Sequence, residues 1–127
     1  MSAHDYLQAQ RMRTRALQIF STVLREVDVI LTPATALSAP IIPSEGLSKG
    51  WSDLGTDTEM MRFVFPGNLT GLPAISFPVG YDSNGMPVGM QAMGRAWEEA
   101  LLLRVAYNAE LRVTRKLPGV YLGNRFT

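Results

Sequence analysis

The dipeptide Asn84-Gly85, set between the extended runs Ala74–Val79 and Met86–Met93, restricts the fold of this chain more than any other feature. An Asn-Gly turn between two such runs makes them antiparallel neighbours, and it predicts a type I′ hairpin with positive φ at both turn residues. Pro73 and Pro78 bracket and interrupt the first run. Each removes a backbone amide, so that strand belongs at a sheet edge or at a bulge. Gly80, Gly85 and Gly89 read as turn and close-packing residues of the same unit.

Helices frame the hairpin. Leu17, Phe20, Val23, Leu24 and Val27 recur at helical spacing, while Arg11, Arg15, Gln18, Thr22 and Arg25 fall mostly elsewhere, which predicts a long amphipathic helix capped by Ser2 with Asp5. Asp28–Thr32 is a short apolar run stopped by Pro33. It suits a strand buried on both faces. From Pro33 to Gly55 the chain carries three prolines and three glycines without a period, which marks a loop of about twenty residues, a length that is usually functional or flexible. A short helix is expected from Asp57, with Thr58, Met61 and Phe65 at i, i+3 and i+7 and Pro66-Gly67 as its stop. Trp97–Arg112 forms a last amphipathic helix with Glu98 and Glu99 in its first turn. Residues 118–127 read as a loose tail.

A chain of 127 residues with 46% hydrophobic content is long enough for one core, and as a compact domain it would bury roughly two-thirds of its unfolded surface. Three strands and two or three helices nevertheless make a poor self-contained sheet, because the Asp28–Pro33 strand has few partners within the chain. The expected class is therefore α/β: a partial mixed sheet with flanking helices, belonging to a larger fold.

Composition excludes several functions. A net charge of +1 with both signs scattered offers no basic stripe for nucleic acid. With no cysteine there is no disulfide framework and no thiolate nucleophile, which fits a reducing compartment. No run approaches the roughly 20 apolar residues of a membrane span. No secretory leader is visible at Met1–Asp5. The expected location is the cytoplasm, peripheral to membranes at most.

The candidate chemical groups are sparse. His4 is the single histidine; alone it builds neither a metal site nor an oriented catalytic pair. No metal or other cofactor is expected. Ser48-Lys49 is the one serine beside a lysine, but it lies in a glycine-flanked stretch where nothing would desolvate the ammonium. Glu98-Glu99 reads as a solvated helix start. Asn68, Thr70, Gly71 and Gln91 read as polar groups that satisfy a turn packed between helix and strand.

Taken together, Phe65–Gly80, Asn84–Gln91, Asp5–Ala9 leading into Arg11 and Arg15, and Asp28–Pro33 with Ala39-Pro40 resemble, in order and spacing, the C-terminal third of an amidase-signature hydrolase over residues 1–117. Asp57–Val64, Phe77–Asp82 and Met93–Ala100 look closest to the plant-type fatty acid amide hydrolase branch. The resemblance implies one α/β/α amidase domain of which residues 1–127 are the C-terminal part. It also implies an upstream amidase portion, or self-association, as partner, and an acyl amide as the small-molecule substrate of the parent enzyme. Thr58 and Met61 match channel-lining positions for the acyl chain, with Phe65 added along the same helix face. Family members cleave amides with a Ser-Ser-Lys triad, which has no counterpart here, so the expected catalytic residues are none and the chain alone is expected to be inactive. Two other readings stand beside this one: another amidase branch, such as the amidotransferase subunit that releases ammonia from glutamine, and a non-catalytic binding or assembly module.

Overall fold

The computed structural model of the chain describes residues 1–116, so the tail expected over residues 118–127 lies outside the described residues. Helix α1 (Ala3–Glu26) begins at the expected cap. The Ser2 hydroxyl accepts from the Asp5 amide while the Asp5 carboxylate accepts from the Ser2 amide, which satisfies two otherwise orphaned donors. Strand β1 (Ile30–Pro33) follows, then three short helices, α2 (Gly46–Lys49), α3 (Leu54–Met60) and α4 (Phe65–Thr70), then β2 (Ala74–Tyr81), β3 (Pro87–Met93) and α5 (Glu99–Glu110).

The described strands form one sheet in the order β1-β3-β2, and both pairings are antiparallel. Helix α5 packs on β2 and β3, where Phe77, Ala92 and Leu102 form a small buried core with Ile75, Met90 and Val105 against it. Successive strand residues point to opposite faces. Thr32, Gln91 and Ser76, which stand opposite one another across the three strands, therefore belong to the other face. There Gly67 of α4 approaches Met93, and α1 packs in turn against α4. Helices thus lie on both sides of a sheet, as an α/β architecture requires.

Several local expectations are corrected. The hairpin is not type I′: Gly85 has φ +79°, but Asn84 is not among the positive-φ residues. The Gly85 amide donates to the Asp82 carbonyl (3.0 Å) and the Asp82 amide to the Met86 carbonyl (2.9 Å). This is a turn closed by a single left-handed glycine, the arrangement of a three-residue hairpin loop. The Asp82 carboxylate fixes it by accepting from the amides of Met86 (2.8 Å) and Asn84 (2.9 Å). The stretch between Pro33 and Gly55 holds the helical turn α2 and the start of α3, which opens at Leu54 because Asp53 caps it by accepting from the Gly55 amide. Pro66-Gly67 does not stop a helix. Pro66 sits in the first turn of α4, where a missing amide removes no intrahelical bond. The last helix starts at Glu99 rather than Trp97, because Trp97 adopts φ +69°.

The predicted irregularity in β2 is present. The strand lies at the sheet edge and its register shifts between Pro78 and Gly80. Strand β1 is also an edge, however, and Leu31 within it is 50% exposed, so burial on both faces is not achieved. The whole chain presents 9906 Å² to solvent. A compact monomer of 14.0 kDa presents about 6,700 Å², and the extended chain about 20,000 Å². Burial therefore reaches about half instead of two-thirds of the unfolded surface. The shortfall lies in apolar side chains left open, among them Ile19 and Val23 of α1 and Leu103 and Tyr107 of α5.

Candidate functional site

Thr58, Met61 and Phe65 occupy the junction between α3 and α4. Thr58 lies in α3 and turns its hydroxyl back onto the Leu54 carbonyl at 2.7 Å. Met61 caps the end of that helix and Phe65 opens the next. The three do not share one continuous helix, because the turn Met61–Val64 intervenes, closed by the Val64 amide on the Met61 carbonyl (2.9 Å). All three side chains are exposed. A hollow of about 460 Å³ lies beside Tyr81, Glu110 and Lys116, and another of about 340 Å³ between the β2 edge and α5; neither includes them.

Two polar side chains hold this junction in place. Gln91, 7% exposed, projects from β3 and donates from Nε2 to the Phe63 carbonyl (3.0 Å) and to the Thr32 hydroxyl (3.4 Å). One buried amide thus ties two strands to the α3–α4 turn. At the far end of α4, Arg13 of α1 donates from Nε to the Leu69 carbonyl (2.8 Å). Gly71 ends that helix in the left-handed conformation at φ +73°, and the buried Thr70 hydroxyl donates to the Pro66 carbonyl (2.6 Å). The structural role expected for Thr70, Gly71 and Gln91 is therefore the one seen. Asn68 is an exposed residue of α4.

Sequence reasoning missed Arg13 and Arg95. Arg95 donates to the Leu24 and Val27 carbonyls at the end of α1, to Asp28 (3.1 Å) and to Glu98 (3.0 Å). Glu98 first, then Asp28, hold its guanidinium even more firmly protonated than usual. Glu98 is accordingly an ion-pair partner and not only a solvated helix start. The available signal was positional: helix C-termini carry orphan carbonyls, and α1 ends just before β1.

The remaining candidates stay apart. His4 is exposed in the first turn of α1, and Ser48 donates its hydroxyl to the Glu45 carbonyl (3.2 Å) within the exposed turn α2. Among the described residues no group of three histidines or carboxylates could hold a metal ion, and no helix is long and apolar enough to cross a membrane. Nothing in this arrangement positions a nucleophile beside a base. What it presents is an apolar, partly aromatic junction held by buried polar groups, a lining rather than a reaction centre.

A helix-flanked sheet with this apolar junction defines a piece of α/β hydrolase architecture. Residues 1–103 match the amidase family, and the chain belongs to it. It is 50% identical over 109 residues to a fatty acid amide hydrolase of Medicago truncatula, a match covering 86% of this chain and 18% of that protein. Similarity to a glutamyl-tRNA(Gln) amidotransferase subunit of Synechococcus is 42% over 108 residues, covering 83% of this chain and 20% of that one. Among solved structures, the glutamyl-tRNA(Gln) amidotransferase subunit of Thermotoga maritima superposes with a TM-score of 0.73 at 32% identity, covering 91% of this chain and 24% of that chain. The chain thus spans about a fifth of the length of the curated relatives it matches.

Proposed function

We propose that the chain acts as the C-terminal segment of an amide hydrolase of the fatty acid amide hydrolase type, located in the cytoplasm or at a membrane surface. It contributes sheet, packing helices and one wall of the acyl pocket, formed by Thr58, Met61 and Phe65. The carrying observation is the identity of 45–50% to plant fatty acid amide hydrolases, against 39–42% to the amidotransferase subunits. The reaction is hydrolysis of an N-acyl amine to a fatty acid and an amine through an acyl-serine. Its serine and lysine come from an upstream amidase portion, and the chain alone turns over nothing. Exposed Met61 and Phe65 suit this role, because an apolar wall gains energy only where an alkyl chain covers it. The amidotransferase reading keeps support from the Thermotoga maritima superposition.

The test is an enzyme assembled from this chain and the upstream four-fifths of the Medicago truncatula protein. Met61→Ala should weaken turnover of long acyl amides more than of short ones, since each CH₂ moved from water into an apolar pocket is worth about 0.8 kcal/mol. Equal losses for all chain lengths would place Met61 in packing instead of the pocket. Turnover of glutamine in preference to every acyl amide would favour the amidotransferase branch.

A further inference from the structure

We propose that Gln91 is the positioning residue of this acyl wall: by holding the Phe63 carbonyl it sets the depth of Met61 and Phe65 against the sheet, and so the acyl length accepted. The inference rests on the function proposed above, but its first consequence is readable without any substrate. Phe63 lies midway between the two pocket residues, and its carbonyl accepts from Gln91 Nε2 at 3.0 Å. Among the hydrogen bonds of the described residues, this is the one that joins the α3–α4 turn to the sheet. The other end of α4 is held separately, by Arg13.

The side chain is specified narrowly. It must reach from a strand to a turn in the layer above and offer two donors, because the second N–H faces the Thr32 hydroxyl. Only an amide of this length does both while remaining uncharged at 7% exposure. Leucine would fill the space and leave the carbonyl without its partner. Glutamate would put two acceptors against it until protonated, when one O–H donor returns.

The experiment uses the full 127-residue chain and amide hydrogen exchange followed residue by residue. In Gln91→Leu, the amides of Arg62, Val64 and Asn68, all bonded within the junction, should lose protection by about tenfold or more. The Ala34 and Gly94 amides, bonded to neighbouring segments of the sheet unit, should keep theirs and report that the variant is folded. Gln91→Glu should show the same loss at neutral pH and regain protection as the pH is lowered, a recovery that a purely space-filling role would not produce. Unchanged protection at Val64 in both variants, or loss spread equally over Ala34 and Gly94, overturns the proposal. In the assembled enzyme Gln91→Leu should then broaden the acyl-length profile with kcat for the best substrate retained. A loosened junction with an unaltered profile removes the specificity role. If the assembled enzyme hydrolyses no acyl amide while the junction loosens as described, the functional reading fails and the tether stands.

Discussion

Gly85 carries the hairpin alone. Its φ of +79° is one that side chains with a Cβ adopt only at a cost, and no atom lies close enough for a new Cβ to clash. The penalty of Gly85→Val is thus conformational, about 1–2 kcal/mol, and denaturation should show a lowered midpoint. Asn84→Ala, at a position that is not left-handed, should leave the midpoint nearly unchanged. Two comparable losses would restore the type I′ turn. Asp82 adds a pH dependence. The Met86 amide, followed by the Ser38 hydroxyl and the Asn84 amide, holds its carboxyl below the ordinary value of 3.8. A carboxyl depressed on folding stabilises the fold fully above its unfolded pKa, and the contribution disappears as pH falls through the folded value. The stability difference between the parent chain and Asp82→Ala should accordingly be constant near neutrality and shrink below about pH 4.

At the scale of elements, Arg95 joins the end of α1 to the start of α5. Its planar fork serves two carbonyls and two carboxylates, a geometry that an ammonium cannot copy. Arg95→Lys should lower stability by about 1–2 kcal/mol, the side chain being only partly buried, and should fray the last turn of α1 in hydrogen exchange. The elements with a clear period, α1, α5 and the two hairpin strands, were legible in the sequence. So were the edge position and bulge announced by Pro78. The junction was not. Pro66-Gly67 reads as a stop or as a first helical turn depending on what lies upstream, and Val64 has no side chain that could cap a helix. Local chemistry left the choice open, and Gln91, 28 residues from Phe63, decides it. Arg13 and Arg95 escaped for the same reason, since their partners lie 56 or more residues away or across a helix end.

The molecule as a whole is a sheet with two free edges and a small core, carrying more open apolar surface than a compact monomer of its mass. Ile19, Val23, Leu103, Tyr107 and Leu31 lie on different elements, so no single patch accounts for it. Such surfaces favour association. Sedimentation of the chain on its own should show concentration-dependent self-association, relieved when the upstream four-fifths of a relative is supplied. A concentration-independent monomer would mean that these surfaces are tolerated as they stand. The chain also carries a means of watching the event. Trp97, in its left-handed backbone conformation at the head of α5, is 92% exposed, whereas Trp51 is 42% exposed. Its indole should emit as though in water, and be quenched readily by iodide, until another surface closes over it. A shift of that emission to shorter wavelength would time assembly directly, with no label added.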